Sequence, residues 1–550
     1  MLRAQSAPSE QQLFQQERWT ELVQLLEKIP QRSAEQEFEY GVALANLSRW
    51  DEARQALIAG SRMAPLDKRF PSELAGIEFK QKKYGVAAAH LRRALRIDPQ
   101  DEYANDFLAT LYFVQGNVEA AVKYWNRLPK PRPAVVAVRN EPKLRIRPAL
   151  LDHALAFAPA SVLTLEELRT SEARVNNLEI FPRYRLDLVA GEDGKFDAVV
   201  RAEELNGFGS GKLDALLRTF SGLGNQEITP EYYNLKRSAI NIISGFRWDP
   251  DKRRGRISLS GPLGFRSPRD ARWRYRLGVD VRNENWDIRN GFTGPAPVLE
   301  SLNMRRELGT VEISRLIGWR WRWTLGAEVS HRDFRNVVPL SVPGPVLTAQ
   351  MLKEGYQLKE SAALDAQLWR SAERRITLSS GLRLQMGRLW SSPVEAFEKL
   401  QASLQVHWLP QVKGDDYQTW WRLRGGKTLG DVPFDELFML GLGADNDLPM
   451  RAHVDTRHGR KGSAPLGRDY VLTNWETDKN IYSTGIFAVK LGPFADAGRI
   501  TDPDPLLTQR KFLVDVGAQA KVRVLGVTVV FSYGKDLRTG NNEFFVNLGR

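Results

Sequence analysis

The sequence predicts a multidomain chain: an all-α repeat solenoid, a small α/β module, and a C-terminal antiparallel transmembrane β-barrel. Three observations carry this. Residue types recur at a period of 34 in the first quarter of the chain. The run LPKPRPAVV, Leu128 to Val136, then stops the repeat with three prolines. Beyond Asn206, apolar and polar residues alternate in segments of eight to eleven residues. A length of 550 residues suits several folding units. Cysteine is absent, which excludes disulfides, thiolate metal sites and cysteine nucleophiles. The net charge of +13 would ordinarily point to nucleic acid or a phosphate-bearing surface, but the 15 Trp, many set in alternating segments, point elsewhere. Mean hydropathy is −0.40 and no run of 18 apolar residues occurs, which excludes a membrane-spanning helix and leaves a barrel open. The N-terminus, MLRAQSAPSE, lacks the basic and apolar regions of an export signal, so the expectation is an internal protein or a processed or truncated form.

The repeat columns are consistent in type. Gly41, Ala75 and Ala109 are small; Trp50, Tyr84 and Val118 are bulky; Ala53, Ala87 and Ala121 are small again. Leu57, Leu91 and Trp125 fill space, and Pro65, Pro99 and Pro133 close each second helix by removing a backbone donor. Small residues let paired helices approach, and large ones fill the gaps between pairs. Residues 10–130 therefore resemble the tetratricopeptide repeat, with the stretch around Trp19 and Leu26 as the second helix of a first hairpin. That resemblance implies a concave surface for peptides or partner proteins.

After the proline-rich stretch, read as a stiff extended linker, residues 137–205 form the second unit. The pattern is a strand LRIR (Leu144–Arg147), helices in LDHALAF and TLEELRTSEARVNNL, then strands RYRLDLV and FDAVVRAEE. GEDGK, Gly191 to Lys195, supplies the turn between the last two. LEELRTSEARVNNLEIFPRYRLDLVAGEDGKFDAVVRAEE resembles a POTRA module, with Phe181 just before the second strand. Such a module implies an edge strand for β-augmentation.

In residues 207–550, NGFGSGKL (Asn206 to Leu213) reads as the glycine-rich lead-in to a first strand, since it lacks the spacing of a phosphate loop and carries Leu213 where a hydroxyl would hold magnesium. In ARWRYRLGVDVRNENW, Trp273, Tyr275, Leu277, Val279 and Val281 share one face, while Arg272, Arg274, Arg276, Asp280 and Arg282 share the other. In EISRLIGWRWRWTLGAEVSHR, Trp319, Trp321 and Trp323 oppose Arg320 and Arg322. The tryptophans are expected to face lipid, and Arg274, Arg276, Arg320 and Arg322 to line a water-filled lumen. A basic lumen suits anionic passengers or balances acidic loops. The 344 residues from Gly207 to Arg550 allow sixteen strands at about 21 residues each, turns included.

Two late segments carry a closer resemblance. They are VPFDELFMLGLGADNDLPMRAHVDTRHGRKGSAPLGRDYVLTNWE (Val432 to Glu476) and VKLGPFADAGRI (Val489 to Ile500). Together they resemble the BamA-type barrel family, whose members insert proteins into the outer membrane or secrete them across it. In that family a long loop with a Val/Leu-Arg-Gly-aromatic tip folds into the barrel and its Arg meets a Phe-x-Asp-x-Gly strand. Here the tip reads Met450, Arg451, Ala452, His453, and the strand holds Phe494, Asp496 and Gly498. Residues i, i+2 and i+4 of a strand share a face, so all three would point inward, with Asp496 accepting from Arg451 and the Phe494 ring beneath its guanidinium. Ala452 and His453 depart from the family's Gly and aromatic.

The resemblance implies a bacterial outer-membrane protein without catalytic residues, metal or cofactor, its first two units in the periplasm. Its partners would be outer-membrane lipid, unfolded or secreted polypeptide, and periplasmic proteins. His453, Asp455 and His458 lie in a polar loop without further ligands, and no nucleophile elbow or HExxH is present. The rival readings are a barrel exporter of an anionic polysaccharide and a basic nucleic-acid scaffold.

Overall fold

The computed structural model describes residues 9–549 apart from 192–194, 264–271, 290–295, 341–344, 391–393, 412–415, 444, 485–486, 502–511 and 525–526. Eight helices in antiparallel pairs come first: α1 (Glu10–Gln15), α2 (Trp19–Leu26), α3 (Ala34–Asn46), α4 (Trp50–Met63), α5 (Arg69–Lys80), α6 (Tyr84–Ile97), α7 (Glu102–Val114) and α8 (Val118–Trp125). Ser9 and Ser33 cap α1 and α3 in reciprocal boxes with Gln12 and Gln36. The repeat columns are the packing surfaces. Ala53, Ala87, Ala121, Leu57 and Leu91 are fully buried. A Cβ built on Gly41 would lie 2.6 Å from Leu57 Cγ, and one on Gly60 2.3 Å from Phe70 Cε1, so both glycines permit helix approaches that no side chain allows.

The last column departs from its expected role. α8 ends at Trp125, well before Pro133, because the Asn126 amide turns the chain by donating to Arg132 O at 2.8 Å and Leu163 O at 3.0 Å. The end of the supposed linker is already strand β1 (Ala134–Glu141). It is followed by α9 (Pro148–Ala154), β2 (Ser161–Val162), α10 (Leu165–Asn177), β3 (Arg183–Ala190) and β4 (Phe196–Glu203), with sheet order β2-β1-β4-β3. LRIR is not a strand. It is bracketed by Pro142 and Pro148, and Pro148 opens α9, so these four residues have no room to extend, while the β-branched run before them pairs instead. Gly191 N–H donates to Lys195 O at 2.8 Å, and the remainder of the expected GEDGK turn lies outside the described residues. The chain divides into two compact units: residues 1–137 with 159–165 and 188–197, and residues 138–158 with 166–187 and 198–550.

Helical structure does not end at Asn206. The glycine-rich stretch leads into α11 (Lys212–Phe220), not into a strand. The large sheet then begins with β5 (Glu227–Ile228) and β6 (Glu231–Leu235), which lie end to end along β7 (Ile240–Arg247). Antiparallel neighbours follow in order: β8 (Lys252–Pro262), β9 (Trp273–Arg289), β10 (Val298–Ile317), β11 (Trp321–Pro339), β12 (Gly355–Ser371), β13 (Ile376–Leu389), β14 (Glu395–Trp408) and β15 (Tyr417–Gly430). A long loop, 431–468, contains the short pairs β16 (Phe438–Met439) with β19 (Leu466–Gly467) and β17 (Thr456–Arg457) with β18 (Arg460–Lys461). The wall resumes with β20 (Asp469–Ser483), paired directly to β15, then β21 (Phe487–Thr501), β22 (Leu513–Val524), β23 (Val527–Asp536) and β24 (Asn542–Gly549). The sheet forms a closed barrel, close in strand number to the sixteen expected from length.

Register separates the two faces, because residues directly opposite across strands share one. Ile257, Val279, Gly309 and Val329 form one transverse row, and its three side chains are 51%, 53% and 51% exposed. The inward face is polar and charged over most of its height. Toward the end where the long loop enters it becomes apolar: Trp286, Ile288, Leu302, Met304, Phe334 and Phe397 enclose Phe434 of the loop.

Candidate functional site: the inward loop and its anchors

The 431–468 loop folds into the lumen and is held by ion pairs of opposite polarity at two regions of the wall. On one side a row of arginines crosses five strands. Arg247 stands opposite Arg254, Arg254 opposite Arg282, Arg282 opposite Arg306, and Arg306 opposite Arg332. Such a row repels itself unless anions are brought to it. The loop brings them. Asp435 lies 2.6 Å from both Arg306 and Arg332, Glu436 lies 3.0 Å from Arg306 and 2.8 Å from Lys359, and Asp445 lies 2.5 Å from Arg254 and 3.5 Å from Arg247. The 3₁₀ turn Phe434–Glu436 aims Asp435 and Glu436 at the wall while Phe434 enters the apolar core, with its ring edge-on to Trp286 at 4.9 Å. From the wall, Asp280 and Glu328 complete the neutralisation of Arg254, Arg282 and Arg306.

On the other side the polarity reverses. Arg451, at the loop tip, donates from Nε to Asp496 Oδ2 at 2.9 Å and from Nη2 to Asp496 Oδ1 at 2.7 Å, a bidentate grip. Its backbone N–H adds a third bond to Asp496 at 3.1 Å. Nη1 reaches Glu476 at 2.8 Å and Gln519 at 3.0 Å, and the guanidinium carbon sits 3.9 Å from the centroid of the Phe494 ring. Phe494 and Asp496 are 2% and 1% exposed, and Gly498 lies in the same inward register. A Cβ on Gly498 would meet Leu440 at 3.2 Å and Met450 Sδ at 3.3 Å, so the missing side chain makes space for the loop. The structure thus brings Arg451, Phe494, Asp496 and Gly498 into one place.

Two further glycines shape this site, and no motif in the sequence marks them. A Cβ on Gly534 would stand 2.6 Å from Arg451 O, so β23 lets the loop backbone press against it. A Cβ on Gly517 would stand 2.6 Å from Phe494 Cζ, so β22 leaves room for the ring. His453, next to the tip, places Nδ1 3.1 Å from Asp515 Oδ2 and Nε2 3.8 Å from Asp536 Oδ2. These three buried residues are grouped closely enough to hold a metal ion, a different trio from His453, Asp455 and His458. Asp515 Oδ2 also accepts from Ala452 N–H at 2.7 Å, and Asp536 accepts from Arg538 N–H and the Thr539 hydroxyl. The contact of His453 with Asp515 is a third tie between loop and wall. Lys461 to Glu284 at 2.9 Å, Arg460 to Asp287 at 3.1 Å and Arg457 to Glu543 extend the anchoring to β9 and β24.

The other expected positions are only partly as read from the sequence. Arg274 and Arg276 face inward, but they do not line open lumen. Arg274 donates to Asn177 O and Leu178 O at 3.1 Å and pairs with Glu179 at 2.8 Å, and Arg276 reaches Glu179 at 3.1 Å, so both fasten the end of α10 to β9. Trp319 and Arg320 lie on neither face of a strand. Gly318, at φ 57°, starts the turn between β10 and β11, and alternation cannot be carried through it. There Trp319 is covered by Arg169 at 4.6 Å and Arg320 at 4.7 Å. Trp321 and Trp323 are on the outward face of β11, and Arg322 is inward, beside Asp365 in register. Wall arginines therefore balance acidic loop residues, but most of the anchoring ones, such as Arg306 and Arg332, differ from those expected.

The tetratricopeptide repeat family matches residues 40–102 and again residues 78–139. No curated protein matches the chain. Among solved structures it is similar to BamA from Haemophilus ducreyi lacking POTRA domains 1–3, with 12% identity over 76% of this chain and 85% of that one and a TM-score of 0.41. It is similar to CdiB from Escherichia coli, with 12% identity, 75% of each chain covered and a TM-score of 0.45. For CdiB from Acinetobacter baumannii the values are 10% identity, 84% of this chain, 81% of that one and a TM-score of 0.40. The barrel architecture stands on this chain's own strand register.

Proposed function

We propose that this chain is a BamA-type outer-membrane barrel that inserts polypeptides into the membrane or moves them across it, with its N-terminal helical repeats and POTRA-like sheet in the periplasm. It works by binding and conformational change, without catalysis or cofactor. The observation that carries this reading is the lumen loop gripped at Arg451 by Asp496 and Phe494. The outward row of Ile257, Val279 and Val329 suits acyl chains, and the repeats suit extended peptides. Export of an anionic polysaccharide would use a basic track, and here Asp435, Glu436 and Asp445 occupy the arginine row.

The test is reconstitution of the full chain in vesicles of phosphatidylethanolamine and phosphatidylglycerol. The chain is expected to speed membrane insertion of an unfolded barrel polypeptide or to carry an unfolded passenger into a protease-protected compartment, and Arg451→Ala is expected to lose either effect. Vesicles that contain the inserted chain yet show neither activity would contradict the reading.

A further inference from the structure

Register lines up a second row of like charges, acidic this time. Asp496 stands directly opposite Asp515, and Asp515 directly opposite Asp536, so β21, β22 and β23 carry three carboxylates side by side on the inward face. All three are buried. Carboxylates placed this way repel one another unless cations are brought to them. Arg451 serves Asp496, and its remaining donors go to Glu476 and Gln519. Among the described residues no lysine or arginine pairs with Asp515, whose ion partner is His453.

The His453 ring stands between the second and third carboxylates, with Nδ1 toward Asp515 and Nε2 toward Asp536. An imidazolium supplies at most one positive charge to such a pair, and one oxygen stays unserved. Asp515 Oδ1 is sealed from solvent and accepts no hydrogen bond from a described residue. A buried carboxylate oxygen in that state calls for a cation. The other oxygens are held as those of metal-binding carboxylates are, by neighbours that fix their direction. Ala452 N–H donates to Asp515 Oδ2 at 2.7 Å, Arg538 N–H to Asp536 Oδ1 at 2.9 Å and the Thr539 hydroxyl to Asp536 Oδ2 at 2.7 Å. One donor atom from each of His453, Asp515 and Asp536 lies within 4.8 Å of the other two. Zinc at its usual bond lengths keeps its ligand atoms about 3.4 Å apart, so side-chain shifts of about 1 Å close the set around an ion.

We infer that His453, Asp515 and Asp536 form a site for a divalent first-row metal ion of the zinc type, which fastens the loop tip to β22 and β23. One imidazole with two carboxylates suits such an ion, whereas calcium takes six to eight oxygen ligands and magnesium prefers to keep its waters. The ion is structural: it supplies the charge that the acidic row lacks and couples the seating of the loop to metal binding. The site depends on the loop lying in the lumen, and not on what the barrel transports.

The test uses the full chain in phosphatidylethanolamine and phosphatidylglycerol vesicles, stripped with EDTA and titrated with Zn2+ against a fluorescent zinc indicator. Beside it stand His453→Gln, which keeps a hydrogen-bond donor for the carboxylates but is a poor metal ligand, and Asp515→Asn. The unaltered chain is expected to hold one tightly bound Zn2+ more than either variant, with the heat-dependent gel shift kept in all three. Zinc is also expected to slow protease cleavage of the loop about tenfold in the unaltered chain and to leave cleavage of His453→Gln unchanged. Equal zinc uptake by the unaltered chain and His453→Gln would overturn the inference, and so would a loop whose cleavage is indifferent to zinc. If the variants lose the gel shift, zinc X-ray absorption of the unaltered chain decides alone. One imidazole with otherwise oxygen ligands is expected there, and no bound zinc, or zinc held by two or more imidazoles, refutes the site.

Discussion

Arg451 is the residue on which the loop turns, and its energetics follow from burial. Its guanidinium and the Asp496 carboxylate are almost out of solvent, so removing either one leaves the other charge without its partner, at a cost on the order of 3–5 kcal/mol. Arg451→Ala and Asp496→Ala are each expected to make the loop susceptible to protease while the barrel keeps its heat-dependent gel shift. The double variant is expected to be much less impaired than the sum of the singles, since neither charge is then stranded. Additive effects would show that the two residues are not coupled. Gly534→Val is expected to free the tip similarly, because its Cβ has no place beside Arg451 O. The strand half of this site could be read from sequence, since alternation alone puts Phe494, Asp496 and Gly498 on one face. Gly517 and Gly534 could not, because their importance lies in which residues of β21 and the loop tip face them, and that depends on register between strands.

At the level of elements, bilayer depth separates two large apolar positions on the outward face of β11. Trp321 is the first residue of β11 after the turn, while Leu325 lies four residues further along the same outward face. Leu325→Arg is expected to destabilise the barrel by roughly 2–4 kcal/mol and Trp321→Arg by roughly 0–1, with Arg322→Gln on the wet face near neutral, measured by urea unfolding in vesicles. Equal costs at 321 and 325 would remove the bilayer from the account. In the solenoid, Gly60→Val drives a side chain into Phe70 and is expected to cost about 1–3 kcal/mol, read as a lower melting temperature of an otherwise helical 1–130 fragment. The solenoid was legible because each repeat contacts its neighbours at a fixed sequence interval. LRIR was misread because two prolines confine it, and α11 because the glycines before Lys212 suggested a turn into strand. The spacing of Leu213, Leu216 and Phe220 held the helical signal all along.

Across the whole molecule, the lumen and the loop are matched in charge: basic wall against Asp435, Glu436 and Asp445, acidic wall against Arg451. The basic excess of the sequence finds part of its explanation here. The arginine row itself was hidden, because Arg247, Arg254, Arg282, Arg306 and Arg332 belong to five different strands at unequal intervals, and only pairing aligns them. The central claim is that a membrane barrel holds this loop inside its lumen. A Met450→Cys, Gly498→Cys pair in the cysteine-free chain tests it most directly, since the end of the Met450 side chain lies 3.3 Å from the place a Cβ at 498 would take. A short bifunctional thiol crosslinker, which makes up the shorter reach of cysteine, is predicted to join the two positions in the membrane-embedded, heat-modifiable protein, and neither single thiol should react with a bulky water-soluble maleimide. A pair that is not crosslinked, with Met450→Cys alone labelled readily by the bulky reagent, would contradict the account.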